Sequence, residues 1–226
     1  VILKDVDEVF INSWFNPLTS FGKPKAEVET LPGYRADKAD DVAEAKALLA
    51  AAGYPNGEGF PKLDFLARES ANASLTAQAL QASMKEDLNI DSEIRIAQVS
   101  VLFQDLAAGD FDIASGGDNA PLLDPAGYVR NWWGVCGSDP CARNFSQWVD
   151  ADFDALVTEF EQQLDPAKRL ELTREIEAFL EREMPVVPLG YTATLMGWYN
   201  YVKGVIPGDF GASYDIFKWD TVWLDK

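Results

Sequence analysis

The side chains that could carry out acid-base or nucleophilic chemistry are restricted in this sequence by the absence of histidine. Its 226 residues contain none, so a Ser-His-Asp or Cys-His unit, an imidazole base and a histidine-bound zinc are all excluded. Two cysteines, Cys136 and Cys141, lie in the turn-forming string CGSDPC. In an oxidising compartment they are expected to form a disulfide, whose short loop contributes about 2 kcal/mol. Two free thiols in a reducing compartment are the alternative, whereas a metal site would need further ligands.

The carboxylates, 37 in number, indicate no catalytic pair, because no spacing singles out two of them. The segment Asp150–Asp154 with Glu161 has the spacing of a calcium-binding loop. The sixth position of such a loop needs glycine for a sharp turn, and here it is Ala155. Acidic residues that complement the dipole of a helix explain the pattern instead. The sequence therefore predicts no metal site and no cofactor.

An aromatic segment, residues 115–148, is the best candidate for a binding site. It has no steady periodicity, and a long loop this rich in aromatic residues is typical of a functional loop rather than of disorder. Aromatic rings mixed with a few polar groups are expected in a cleft for a small molecule or a peptide. The residues are Asp118, Asn119, Asp124, Tyr128, Arg130, Trp132, Trp133 and Trp148. The alternative is that Trp132 and Trp133 only pin the loop to its domain.

The overall charge limits the partners of the protein. With 19 basic and 37 acidic residues the net charge is -18, and no basic patch interrupts the acidity. Such a surface repels phosphate backbones and anionic membranes, so no nucleic-acid or membrane-surface partner is predicted. The acidity indicates a well-solvated surface, or alternatively an acidic face for a cationic partner. A hydrophobic content of 47% is enough for a sizeable core.

Hydrophobic periodicity predicts an α/β arrangement for residues 41–114. The predicted order is a helix that starts at Asp41 and ends just before Gly53, a strand at 63–67, a helix capped by Ser74, a strand at 92–99, a short helix ending at Gly109 and a strand at 111–114. Strands that alternate with helices favour parallel pairing. Ligands of such sheets bind beyond the carboxyl ends of the strands. Residues 115–119 follow the third predicted strand and are therefore expected near a ligand.

Four further segments are predicted from the rest of the sequence. A helix opened by Asp150 or Asp152 is followed by a second helix, which Asp165 caps and in which Pro166 takes the first turn. The tail from Pro185 is aromatic and has the pattern of β-strands. Residues 1–40 are irregular and rich in proline, which is typical of a connecting arm.

The order of several strings resembles the C-terminal half of the family 5 solute-binding proteins, the receptors of dipeptide and oligopeptide ABC importers. The resemblance covers roughly residues 40–226. The strings include EAKALLAAAGYPNGEGFP (44–61), AAGDFDIASGG (107–117), LDPAGY (123–128), NFSQW (144–148), DPAKRLELTREIEAFLERE (165–183) and FKWDTVWLD (217–225). Each string alone is weak, but together they occur in the order of the family.

The resemblance implies an extracytoplasmic receptor that has no enzymatic activity. Such a receptor closes two lobes over a solute and presents it to an ABC permease in the membrane, as a monomer in the periplasm or outside the cell. The fold implied is a lobe of the type II periplasmic binding proteins, with a mixed β-sheet flanked by helices. Residues 41–184 would form the ligand-binding lobe, and residues 185–226 would be strands that return to the other lobe. Because family members are about twice this length, the chain is expected to lack that lobe.

The resemblance also implies a set of binding residues. Polar contacts and apolar walls are expected from Gly117, Asp118, Asn119, Tyr128, Trp132 and Trp133. Peptide-binding relatives carry an aromatic residue after the third strand and, three positions on, an aspartate that pairs with the amino terminus of the peptide. Asp118 and Pro121 occupy those two positions here. Either Asp118 replaces the anchor from a shifted place, or the solute lacks a free α-amine. The alternatives to a receptor are a periplasmic hydrolase that uses a carboxylate pair and an interaction domain without a ligand.

Overall fold

A computed structural model describes residues 14–17, 19–116, 124–191, 198–207 and 217–225. The chain folds into two compact units. Unit 1 consists of Val1–Asp7 and Ala26–Gly117, and unit 2 consists of Glu8–Lys25 and Asp118–Lys226. No helix in the described ranges is long and apolar enough to cross a membrane. The predicted division at residues 40 and 184 was based on the lobes implied by the family resemblance, and not on compactness. It stays a prediction.

Unit 1 is built on a three-stranded parallel sheet. Its strands are β1 (Leu63–Arg68), β2 (Ser92–Ala97) and β3 (Ile113–Ser115), in the order β2-β1-β3. Phe65 of β1 is opposite Ile94 on one side and Ile113 on the other. The helices of this part of the chain are α1 (Lys25–Val28), α2 (Lys38–Ala51), α3 (Ala71–Leu88) and α4 (Val99–Ala108), with a 3-10 turn at Pro55–Gly57. The parallel pairing predicted from the sequence is confirmed.

The ends of these helices follow from local side-chain chemistry. Ser70 caps α3, because its side chain accepts a hydrogen bond from Ala73 N at 3.2 Å. The prediction that Ser74 is the cap was wrong, since Ser74 lies inside the first turn and donates its backbone N–H to Ser70. Helix α2 begins three residues before Asp41, because Asp37 caps it instead. Gly109 ends α4 in the left-handed conformation, as predicted.

Unit 2 is centred on helices α5 (Val129–Trp133), α6 (Ala151–Gln162) and α7 (Pro166–Glu183). Asp150 caps α6 through Asp152 N and Phe153 N, and Asp165 caps α7 through Ala167 N and Lys168 N. The buried core consists of Trp14, Phe15, Tyr128, Val129, Trp133, Phe153, Val157, Phe160, Leu172, Ile176 and Leu180. Trp14 and Phe15 come from the segment predicted to be a connecting arm, so this part of the arm is integral to unit 2.

Short antiparallel pairs complete the described structure. Strand β4 (Val135–Cys136) pairs with β5 (Asp139–Pro140), β6 (Val202–Lys203) with β9 (Trp223–Leu224), and β7 (Ile206–Pro207) with β8 (Phe217–Lys218). A 3-10 turn, Trp219–Thr221, precedes β9. The α/β class with helices flanking a sheet is confirmed. In the described residues the sheet of unit 1 is wholly parallel, and the antiparallel pairs are separate from it.

Candidate functional site

The carboxyl end of β3 is the first place where the sequence predicts ligand contacts. Strand β3 ends at Ser115, whose hydroxyl oxygen is buried and has no hydrogen-bond partner among the residues that the structure describes. A side chain added at Gly116 would meet open space, with no heavy atom of the described residues within 4 Å. The predicted contacts Gly117, Asp118 and Asn119, and also Pro121, lie outside the described residues.

The aromatic candidates Tyr128, Trp132 and Trp133 are positioned in unit 2 by a turn and a short helix. Asp124 starts a 3-10 turn, Pro125–Gly127, by accepting a hydrogen bond from Ala126 N at 2.9 Å. Tyr128 follows this turn, and α5 then carries both tryptophans. The rings of Tyr128 and Trp132 are 4.6 Å apart between centroids, and those of Trp132 and Trp133 are 5.7 Å apart. The structure thus brings the three predicted aromatic residues together.

Burial separates the three rings into two groups. Tyr128 is 3% exposed and Trp133 is 7% exposed, and both belong to the core of unit 2. Trp133 also meets Trp14 edge to face, with ring centroids 5.2 Å apart. Trp132 packs against this core but is only partly buried. Trp132 is therefore the member of the group whose ring keeps exposed surface.

Two arginines hold this aromatic group in place. Arg169 of α7 donates to both carboxylate oxygens of Asp124, at 2.6 and 2.8 Å, so the turn before Tyr128 is tied to α7. Arg130 of α5 donates to Glu161 of α6 at 2.8 Å and to Thr158 Oγ1 at 2.9 Å. The hydrogen bonds to Glu161 raise the pKa of the Arg130 guanidinium. Asp124 and Arg130, which the sequence predicts in a binding loop, both have structural partners.

The electrostatics of the aromatic group are dominated by burial. Desolvation raises the pKa of the Tyr128 phenol, and the nearby Tyr191, Asp124 and Glu177 add to this effect. A phenol in this position stays protonated throughout the physiological range. Tyr128 can therefore act as an apolar ring or as a neutral hydrogen-bonding group, and not as a base.

The predicted disulfide between Cys136 and Cys141 is confirmed. It closes the hairpin of β4 and β5 directly after α5. The hairpin is fixed to α6, because Val135 N donates to Asp154 Oδ1 at 2.9 Å. At its other end Cys141 N donates to Gly134 O at 3.1 Å. The disulfide therefore stabilises the segment that follows the aromatic helix.

The carboxylates considered for metal binding have structural roles. Asp150 caps α6, and Asp154 accepts the hydrogen bond from Val135 N. Within the described part of the chain no group of three or more acidic or cysteine side chains could hold a metal ion. A charged groove at the amino ends of the strands in unit 1 has its charges paired as well: Arg95 bonds to Asp64 at 2.8 Å, and Lys62 bonds to Glu93 at 2.6 Å.

Trp14 and Phe15 also contact the aromatic group, which was not predicted from the sequence. Phe15 packs near Tyr128, with ring centroids 6.3 Å apart, and the Tyr191 hydroxyl donates to Trp14 O at 3.1 Å. The available signal was an aromatic pair within a proline-rich arm, because a solvated linker rarely contains two adjacent large aromatic residues.

Comparison with known proteins gives one family match. Residues 8–139 match the model of the bacterial extracellular solute-binding proteins, family 5 middle region. The chain is 28% identical over 182 residues to the oligopeptide-binding protein OppA of Bacillus subtilis, which covers 78% of this chain and 32% of that protein. It is also 28% identical over 188 residues to the di/tripeptide-binding protein 4 of Pseudomonas aeruginosa, covering 78% of this chain and 34% of that protein.

A solved structure shares the fold. The murein tripeptide binding protein MppA of Escherichia coli superimposes with a TM-score of 0.76 at 21% sequence identity, over 95% of this chain and 40% of that one. This likeness supports the predicted architecture, that of a type II periplasmic binding protein. The chain spans about a third of the length of the two curated relatives that it matches.

Proposed function

Because the chain belongs to the bacterial extracellular solute-binding proteins of family 5, we propose that it forms the second lobe of a peptide-type solute receptor of an ABC importer. The family match over residues 8–139 is the observation that carries this proposal. The relatives of this chain are named for binding oligopeptides and di- or tripeptides. Since the chain spans about a third of their length, the proposed receptor includes a further lobe.

The proposed mechanism is capture by closure of two lobes over the solute, followed by delivery to a permease in the membrane. It takes place outside the cytoplasm, in the periplasm or at the cell surface, with the receptor as a monomer. The disulfide between Cys136 and Cys141 supports an oxidising compartment. An enzymatic role has no support, because the family consists of binding proteins and the described carboxylates discussed above act in caps and ion pairs.

The proposed contacts of the solute start from the end of β3. Polar contacts come from Gly117, Asp118 and Asn119, which follow β3 in the sequence. The hydroxyl of Ser115 supports this proposal, because it is buried and has no hydrogen-bond partner among the described residues. A buried polar group without a partner costs free energy that an incoming ligand would recover. A separate apolar contact is proposed within unit 2, where Trp132 is partly exposed and packs beside the buried rings of Tyr128 and Trp133.

The test of the polar contact is Asp118→Ala in a full-length receptor that contains this chain. The solute is first identified by mass spectrometry of small molecules that co-purify with the receptor, and its affinity is then measured by calorimetry. We expect a loss of about tenfold or more, equivalent to ~1.4 kcal/mol, because a charged contact is removed. Asp152→Ala is the matched control, since Asp152 is exposed in the first turn of α6. Unchanged affinity of Asp118→Ala would remove this residue from the site.

The same material tests the class of function. A receptor should release an unmodified peptide or a peptide-like solute after denaturation. Turnover of an added peptide would indicate a hydrolase instead, and the absence of any bound solute would indicate an interaction domain. The chain alone, without a second lobe, is expected to bind the identified solute weakly or not at all. Tight binding by the isolated chain would contradict the two-lobe mechanism.

A further inference from the structure

The described residues 14–17 and 19–25 precede Ala26–Gly117, the main part of unit 1, in the sequence but belong to unit 2. Their end is held by a cluster of charged side chains, here called the clasp, that consists of Lys23, Arg174, Glu177 and Glu181. Lys23 Nζ lies 3.6 Å from Glu177 Oε2 and forms a close ion pair with Glu181. Arg174 Nη1 donates to Glu177 Oε2 at 2.9 Å. Lys23 and Glu181, which are 158 positions apart in the chain, are thus joined by an ion pair.

Two members of the clasp, Lys23 and Glu177, are buried, which makes their pairing necessary, whereas Arg174 and Glu181 are partly exposed. The side chain of Glu177 is fully buried and that of Lys23 is 7% exposed. A charge removed from water is tolerated only when partners of opposite charge and hydrogen bonds replace its hydration. Loss of Lys23 would remove one of the charges that compensate the buried carboxylate of Glu177, which is less favourable than loss of an ion pair at the surface.

The clasp acts on the backbone as well as on side chains. Arg174 Nη1 donates to Phe21 O at 2.9 Å, and Arg174 Nη2 donates to Gly22 O at 3.0 Å. Gly22 has no room for a side chain, because a Cβ there would lie 2.5 Å from Asn16 O. The segment is therefore folded back tightly between two anchors, with the core residues Trp14 and Phe15 at one end and the clasp at the other.

We propose that the clasp is a conformational anchor that fixes residues 14–23 to α7 and so sets the point at which the chain leaves unit 2. The chain passes into unit 1 after Lys25, two residues beyond the clasp. The backbone is then held up to Lys23 and can change direction only after it. The proposal does not depend on the identity of the solute or on solute binding.

The test is amide hydrogen exchange of the whole chain with Lys23→Met. The variant keeps the length and apolar stem of the side chain but removes its charge. We expect exchange on the order of tenfold faster or more at the amides of Thr19 and Gly22, which bond to carbonyls within the folded segment. Exchange in α6 should stay as in the wild type. Lys23→Arg keeps the charge and should restore protection.

The matched control is Lys62→Met in unit 1, which breaks an exposed pair with Glu93 and should leave exchange at Thr19 and Gly22 unchanged. If Lys23→Met does not fold, Arg174→Met gives a second measurement, because it removes the bonds to the carbonyls of Phe21 and Gly22 while Lys23 and Glu177 remain. Faster exchange at Gly22 in that variant supports the clasp. Exchange within about twofold of the wild type in the variants that fold, or a uniform acceleration throughout unit 2, would overturn the proposal.

Discussion

At the scale of single residues, the aromatic group shows how burial decides what a side chain can do. Tyr128, Trp132 and Trp133 lie within six positions of one another and are chemically suited to a ligand wall. Two of them nevertheless complete the core of unit 2, because Trp14 and Phe15 approach from the distant arm. Trp132 keeps part of its ring at the surface. The types and positions of these residues were evident in the sequence, whereas their exposure depended on a partner more than a hundred residues away.

Tyr128 gives a prediction about pH. Its pKa is raised in the folded state, mainly by burial, above the value of about 10 for an unfolded chain. The stabilising contribution is therefore fully present below pH about 10 and is lost as the pH rises above it, since the unfolded state then releases the proton more readily. We expect Tyr128→Phe to reduce this loss of stability. Denaturant unfolding on both sides of that pH measures the effect, and Tyr199→Phe, at a position 71% exposed, is the control.

The same prediction has a clear contrary outcome. This outcome is that the wild type and Tyr128→Phe lose equal stability when the pH is raised from below about 10 to above it. Tyr128 would then ionise in the folded protein as readily as in the unfolded chain. The ring would then be accessible to water, and the burial described above would not hold in solution.

At the scale of elements, caps and periodicity made much of the structure predictable. The strands and helices of unit 1 follow the predicted alternation, Asp165 caps the start of α7 and Gly109 ends α4 as expected. The differences lie at the ends of elements. Ser70 rather than Ser74 caps α3, and α2 begins before Asp41. Strands β2 and β3 end at Ala97 and Ser115 rather than at residues 99 and 114. Several polar residues near a helix start can each act as the cap, so the sequence leaves the choice open and the path of the preceding loop settles it.

Helix α6 offers a direct test of such a choice, because either Asp150 or Asp152 was a candidate for its cap. The side chain of Asp150 accepts hydrogen bonds from Asp152 N and Phe153 N, at 2.9 and 3.0 Å, whereas Asp152 is exposed in the first turn. We expect Asp150→Ala to lower the free energy of unfolding by about 1 kcal/mol. Asp152→Ala loses only an interaction with the helix dipole, a few tenths of a kcal/mol. Urea unfolding of both variants measures the difference, and equal losses would contradict the assigned cap.

At the scale of the whole molecule, the two compact units each have their own core, and one of them is assembled from separate parts of the chain. The sheet of unit 1 is formed by strands of one continuous stretch of the chain, Ala26–Gly117. Unit 2 combines Glu8–Lys25 with Asp118–Lys226, and its arm is joined by aromatic packing and by the clasp. Stability changes inside one unit should therefore be measurable separately from the other.

The disulfide tests this separation. The double variant Cys136→Ser, Cys141→Ser removes the short covalent loop of the β4–β5 hairpin, and we expect unit 2 to lose about 2 kcal/mol of stability. Native-state hydrogen exchange should show faster opening of α6 and unchanged protection in β1. The wild-type protein in reducing buffer should behave like the variant. Equal loss of protection in β1 would show that the two units unfold together.

The sequence by itself determined the α/β alternation, most of the caps, the disulfide and the family. These features depend on neighbours within a few positions or on the order of motifs, and both are written directly in the residues. Only the tertiary structure decided that Tyr128 and Trp133 are buried and that the arm belongs to unit 2. It also decided that Lys23 meets Glu177 and Glu181. Burial and ion pairing of this kind depend on which distant surfaces meet, and no local pattern encodes that choice.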